Sequence, residues 1–289
     1  MSTNISIPII KELTKFRLTL SVVFSSFISY FLGATEINYI QLFYLVSGGI
    51  LIVSSSNIFN QIIERDLDKI MKRTQNRPLP KKEITPKLAL FLAIASSVIG
   101  LIFMYLINIK VAILAAVSIF LYTAVYTPMK LISPFSVFVG AIHGAFPFMI
   151  GWVAATNHIG IEALTLFLMQ FFWQFPHFWS IGWSQSSDYE KAGFKMLPTG
   201  KKDKSTSAQI LFYSIWAVLI SIVPYFGITG ELKLSIIGVL VIIVLGAYLI
   251  YKSYILFLYG KNENANKLMF TSVIYLTLVQ LTFLFDKIL

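Results

Sequence analysis

Asn60, Glu64 and Asp68 recur at every fourth position of NQIIERDLD, a spacing that places all three on one face of a helix. Asn57, three residues earlier, shares that face. Two stacked carboxylates repel each other unless a cation lies between them. Oxygen donors with no sulfur and no nearby histidine suit a hard divalent ion, Mg²⁺ above all. Such an ion takes one or two carboxylates and completes its shell with water and phosphate oxygens. Arg73 and Arg77 follow at once, and guanidinium groups match phosphate geometry. Twenty largely apolar residues, Leu42 to Gln61, precede the two carboxylates Glu64 and Asp68, so the acids fall at a hydrocarbon boundary. The set suits a diphosphate with a greasy tail. The plain alternative is a solvated helix end in which Glu64–Lys69 and Asp68–Lys72 pair. Asn57 and Asn60 argue against it, because polar groups set in hydrocarbon face a cavity or a partner.

A second stretch, MQFFWQFPHFWSIGWSQSSDYEKAGFKMLP, carries Gln170, Gln174 and His177 at i, i+4 and i+7. Ser184 and Asp188 continue that face if the helix runs on. Pro176 is expected to bend it and release the carbonyl of Phe172. The surrounding phenylalanines and tryptophans read as packing or interfacial anchors. A titratable group inside a span is a functional candidate, so His177 can bind metal, move a proton or bond a neighbouring helix. His143, in AIHGAFPFMIGW, receives the same reading, whereas His158 reads as a solvated loop residue. Asp188 either holds a second Mg²⁺ across a cavity from Glu64 and Asp68, or caps the helix that SSDYE begins.

The elements that position these residues are transmembrane. The chain is 57% hydrophobic and 12% charged, the composition of an all-α polytopic membrane protein. Nine segments are long and apolar enough to span: roughly 16–34, 39–62, 88–107, 110–127, 134–155, 161–183, 208–228, 233–258 and 267–285. The alternation of a membrane barrel is missing. No cysteine is present, which excludes a disulfide framework and thiolate metal sites. The opening MSTNISIPIIKELTKF reads as an amphipathic lead-in rather than a signal or transit peptide. The net charge of +10 is a matter of topology, not of nucleic acid. With nine spans, 20 of the 23 lysines and arginines fall on the side of the N-terminus and the even loops. The positive-inside rule makes that side cytoplasmic, puts the C-terminus outside and accounts for the charge through anionic lipid. Two connections are long, 64–87 and 184–207, and each runs from acids to bases and contains a Leu-Pro step. This suggests one domain, 1–289, built of two pseudo-repeated halves, roughly 10–130 and 131–285.

Taken together, the Asn60, Glu64 and Asp68 motif and MKRTQNRPLP resemble the first motif of the UbiA-type intramembrane prenyltransferases. PHFWSIGW, DYEKAGFKMLP, YTPMK and GAFPFMIGW, in order, resemble the branch that farnesylates protohaem IX. The resemblance covers about residues 10–285 and implies a nine-helix bundle with a cytoplasmic-side cavity. It further implies Mg²⁺-dependent transfer of farnesyl from farnesyl diphosphate to a vinyl carbon of haem B, giving haem O. Haem O then serves terminal oxidases, directly or through haem A synthase, in the bacterial inner membrane. Carried over by the motifs are Asn60, Glu64 and Asp68 for Mg-diphosphate with Arg73 and Arg77 beside them, and Asp188, Tyr189 and His177 on the second side. This chain has Glu64 where the family often has Asp, and SQSS, Ser184 to Ser187, where members carry a base before the DY pair. Lys191 or Lys195 can substitute for that base.

A mechanism follows from the residue types. Ionising an allylic diphosphate needs the leaving group's developing charge stabilised, which Mg²⁺ and arginines provide. The cavity must otherwise exclude water, which explains charge confined to its mouth. One water must still capture the cation formed on the vinyl group, and His177 or Tyr189 is the candidate to position it. Lys130, Lys191 and Lys195 are candidate propionate contacts; His177 or His143 can instead ligate iron. Two rivals stay open: a related prenyltransferase acting on a quinone precursor, and a transporter. The deep polar groups gather at one mouth, which weighs against a path through the membrane.

Overall fold

Apolar runs bounded by asparagine, serine, proline and glycine become long helices. The computed structural model describes residues 6–289, so residues 1–5 of the amphipathic lead-in lie outside the described residues. In chain order the helices are α1 (Ile7–Leu13), α2 (Phe16–Gly33), α3 (Tyr39–Asp68), α4 (Pro86–Ile107), α5 (Ile109–Phe120) and α6 (Thr127–Ile132). There follow α7 (Ser136–Thr156), α8 (Ile161–Ser184), α9 (Ser186–Ala192), α10 (Lys204–Ile222), α11 (Ile236–Tyr259) and α12 (Asn262–Ile288). No strand occurs among the described residues. Local chemistry sets the starts. Asn38 accepts from the Ile40 and Gln41 amides, both at 3.1 Å, Asn108 from Val111 at 2.9 Å and Asp203 from Thr206 at 2.8 Å. Thr85 caps α4, with Pro86 at its first position.

Among the described residues eight helical segments are long and apolar enough to cross a membrane, with α5 to α6 counted as one, Ile109–Ile132. The sequence reading expects nine. The difference is α8, which has 24 residues but interrupts its apolar character with Gln170, Gln174, Pro176 and His177. Those polar residues turn inward, where they line a cavity. Elsewhere the bundle is apolar on its outside: Phe91, Ile94, Val98, Ile102 and Tyr105 on α4, and Ile237, Leu240, Val244, Tyr248 and Tyr251 on α11, are exposed at helical spacing. Apolar cover on this scale needs lipid around it.

Helices α2, α3, α7, α8 and α12, with the α5–α6 segment, surround the interior, and α4, α10 and α11 back them. A close α2–α7 crossing depends on Gly151, where a Cβ would collide with the Ser26 carbonyl. Between α5 and α6, Leu121–Tyr126 is π-helical, a wide turn common beside functional sites. The connection after α3 is not a loose loop. Met71, Thr74, Pro78, Leu79 and Ile84 are buried in it, and Leu79 and Ile84 join Leu13, Ile58, Ala89 and Ala93 in a small second core. That core anchors the connection that carries Arg73 and Arg77.

Candidate active site

The last three turns of α3 carry Asn60, Glu64 and Asp68 on one face, and all three are buried. Asp68 is fully buried and accepts two bonds from one Arg77 guanidinium nitrogen, at 2.9 and 2.8 Å. Its backbone carbonyl takes the Thr74 hydroxyl at 3.1 Å, which folds the following segment back over the helix end. Glu64 forms an ion pair with Lys130 of α6, also buried. Lys130 lies over the rings of Tyr126 and Phe194, 5.0 and 5.1 Å from their centroids. The Glu64 Oε1 that meets Lys130 has no aligned hydrogen bond despite its burial. A buried oxygen left in that state is costly, and a stronger cation would relieve it.

The second arm arrives from α9. The helical face of α8 does not run on to Asp188: the helix breaks at Gln185 and restarts at Ser186. Asp188 does not cap α9 either, because Gln185 holds that position. Instead its Oδ2 accepts the Arg73 backbone N–H at 3.1 Å, across 115 residues of sequence. The Arg73 guanidinium donates to the Tyr189 hydroxyl at 3.2 Å and lies 5.7 Å from that ring's centre. Burial raises the pKa of the Tyr189 phenol, opposed by the Arg73 charge. The tertiary structure therefore gathers Asn60, Glu64, Asp68, Arg73, Arg77, Lys130, Asp188 and Tyr189 at one rim.

One member of this rim escapes the sequence reading. Lys15, half-buried between α1 and α2, donates to Asn60 Oδ1 at 3.0 Å. Asn60 in turn donates to Thr127 at 3.3 Å, and Thr127 to the Tyr122 carbonyl of the π-turn at 2.8 Å. Lys15 stands in the left-handed backbone region (φ 48°, ψ 52°), a strain common at functional positions. Burial first, then the Arg77 charge, push its pKa down to about 7. Such a lysine would gain from an arriving anion.

Other expectations need correction. Glu64 and Asp68 do not pair with Lys69 and Lys72; Lys69 bonds Asp66 on the exposed side, at 2.7 Å. Lys191 and Lys195 are exposed, and Lys195 is spent on the Ile132 carbonyl at 3.1 Å, so neither joins the rim. Lys130 faces Glu64 rather than open space. Asn57 lines the interior, but its amide is held by the Thr14 carbonyl at 3.1 Å and Thr19 at 3.3 Å, tying α1 and α2 to α3.

Beside the rim, and joined to it through Tyr126 beneath Lys130, lies a cavity of about 290 Å³. Its walls are mostly apolar, with Phe24, Ile52, Val53, Pro147, Phe178 and Leu276 among them. A polar patch comes from His143, Gln170, Gln174 and His177, and Tyr122 and Tyr126 stand on the side of Asn57. Gln174 is fixed by the Ala141 carbonyl at 2.9 Å, whereas Gln170 Oε1 is buried without a partner. A Cβ at Gly144 would collide with Gln174, so that glycine keeps the wall open.

Among the described residues no three acidic, histidine or cysteine side chains converge as a ready-made metal cage. The donors that do gather, Asn60, Glu64, Asp68 and Asp188, are hard oxygens, and Glu64 Oε1 is a buried oxygen lacking an aligned donor. They fit Mg²⁺ that brings phosphate oxygens with it, since such an ion needs only one or two carboxylates per site.

A helical membrane bundle with a charged cluster beside an apolar cavity suits an intramembrane enzyme for a charged head on a greasy tail. The chain belongs to the UbiA prenyltransferase family, whose model matches residues 22–274. It is 52% identical to the protoheme IX farnesyltransferase of Christiangramia forsetii over 96% of this chain and 92% of the relative. To the enzyme of the same name in Flavobacterium psychrophilum it is 49% identical, over 96% and 94%. Its fold matches a digeranylgeranylglyceryl phosphate synthase at a TM-score of 0.80 and 20% identity, covering 99% of both chains. A UbiA homologue of Archaeoglobus fulgidus bound to DMAPP and Mg²⁺ matches at 0.68 and 15% identity, covering 95% of this chain and 98% of that one.

Proposed function

We propose that this chain transfers farnesyl from farnesyl diphosphate to a vinyl carbon of haem B, forming haem O and releasing diphosphate. One observation carries the reading: acids and arginines from the end of α3, the connection after it and α9 meet in one charged cluster, and Tyr126, which lies under Lys130 there, also lines an apolar, histidine-bearing cavity. Relatives about half identical along nearly the whole chain bear the name of that activity.

Asn60, Glu64, Asp68 and Asp188 would hold Mg²⁺, which neutralises the diphosphate and stabilises its departure. The chain's own residues account for the remainder. Arg73, Arg77, Lys130 and Lys15 face the leaving group as its charge develops; Arg77 and Lys130 exchange their carboxylate partners for phosphate oxygens, Arg73 its Tyr189 hydroxyl and Lys15 its Asn60 amide oxygen. The apolar walls exclude bulk water while the C1–O bond of the allylic diphosphate breaks. The vinyl π-bond of haem B attacks C1, one water adds to the resulting cation beside the porphyrin, and one proton leaves. Tyr189 faces Arg73 at the rim, so its support is for the head group. His177 and His143 face the cavity, where the porphyrin must sit.

We further assign the chain to a bacterial inner membrane, with the basic side and N-terminus cytoplasmic and the C-terminus outside. Haem A synthase or a terminal oxidase would take the product. The acid-bearing ends of α3 and of α8–α9 support one domain of two related halves.

The test is direct. Membranes containing the chain are incubated with farnesyl diphosphate, Mg²⁺ and either haem B or 4-hydroxybenzoate. A haem O peak with the first acceptor and no prenylated product with the second is expected; the reverse pattern would establish the quinone-precursor reading.

A further inference from the structure

We infer that His177 is the axial ligand to the iron of the porphyrin substrate, bonding through Nε2. The inference rests on the protohaem reading above.

It starts from Ser272 on α12. The Ser272 hydroxyl donates to the Met269 carbonyl at 2.6 Å, so its proton is already used. With the hydroxyl so directed, the 2.9 Å contact between Ser272 Oγ and His177 Nδ1 is completed by the imidazole as donor. That assigns the proton to Nδ1 and leaves Nε2 as an unprotonated imine nitrogen. The hydrogen-bond contacts of the ring are to the Ser272 hydroxyl, at Nδ1, and to the Met269 carbonyl, both on α12, and His177 lines the cavity. The ring cannot turn freely. Trp173 stacks on it, centroids 4.8 Å apart and planes 16° apart, and Trp173 itself donates to the Ser272 carbonyl at 2.6 Å. Ser272 is fully buried and pins both rings. An imidazole that donates through one nitrogen and offers the other is oriented as metal-ligating histidines are.

A proton-accepting role fits the same nitrogen less well. Among the described residues no aspartate or glutamate lines the cavity, so a protonated His177 would be a buried cation without a partner. A neutral ligand carries no such cost. His143 is the weaker candidate, because its Nδ1 makes a longer 3.3 Å contact to the Val139 carbonyl. The rings of Tyr122 and Tyr126 also crowd it, at 4.7 and 5.3 Å.

The full chain in nanodiscs, without farnesyl diphosphate, is titrated with ferrous protohaem and examined by resonance Raman. An iron–histidine stretching band is expected in the wild type and in His143→Ala. His177→Ala should lose the band, bind protohaem at least tenfold more weakly, and recover the band when imidazole is added. A band that survives in His177→Ala overturns the inference while leaving the farnesyl-transfer reading intact. Wild-type protein that binds no protohaem overturns both. If His177→Ala does not fold, Ser272→Ala decides: removing the Nδ1 acceptor should shift the band, and an unchanged band overturns the inference.

Discussion

The two arms that meet at the rim carry the same kind of charge and treat it differently. On α3, Asp68 and Glu64 are each neutralised by a side-chain cation, Arg77 and Lys130. On α9, Asp188 is held by a single backbone N–H from Arg73. Breaking a buried ion pair strands a charge, whereas giving up one N–H does not. The α3 arm can therefore release its carboxylates to a metal only when an anion arrives to receive Arg77 and Lys130. The α9 arm has no such condition. Loading of metal and of diphosphate should be coupled through α3 and not through α9.

The severest way to break this contrast is Asp68→Asn. It leaves the half-buried Arg77 facing a neutral amide, which costs on the order of 3 kcal/mol of stability. It also removes a metal ligand, so transfer should fall by about 10³-fold or to nothing. Denaturation and haem O chromatography read the two effects separately, and Asp188→Asn should match the activity loss at much smaller cost in stability. Equal destabilisation by both substitutions would abolish the distinction between the arms.

Lys130→Ala sharpens it from the other direction. Freed of its partner, Glu64 should bind Mn²⁺ in the absence of diphosphate about tenfold more tightly than in the wild type, as measured by electron paramagnetic resonance. Transfer should nevertheless fall by about 10²-fold, because a cation facing the leaving group is gone. Unchanged metal affinity would mean that the ion pair does not compete with the metal.

Tyr189→Phe removes one acceptor from the Arg73 guanidinium. The loss is that of one charge-assisted hydrogen bond, roughly 1.5–3 kcal/mol at most. It should appear as a higher KM for farnesyl diphosphate, with kcat little changed. The smallest effect belongs to Lys191→Ala and Lys195→Ala, both exposed, which should alter steady-state transfer by less than about twofold. A large loss at either would place the second basic loop in the site after all.

Much of this was legible along the chain because membranes impose simple rules. Apolar runs of about twenty residues must be helices. The fourfold spacing of Asn60, Glu64 and Asp68 must put them on one face. Helix α8 shows where that reading bends: it gives up apolar character because its Gln170, Gln174 and His177 face an interior that spacing alone cannot fill.

Residue type and order thus determined a helical membrane bundle, the face carrying the acids and the kind of head group they suit. The tertiary structure decided the partners. Lys130 reaches Glu64 across 66 positions, Lys15 reaches Asn60 across 45, and Arg73 reaches Asp188 across 115. Helical periodicity extends only along one helix, so contacts between helices depend on crossings such as α2 on α7, which Gly151 permits. The same limit hid Ser272, an unremarked serine on α12 until packing set it against His177.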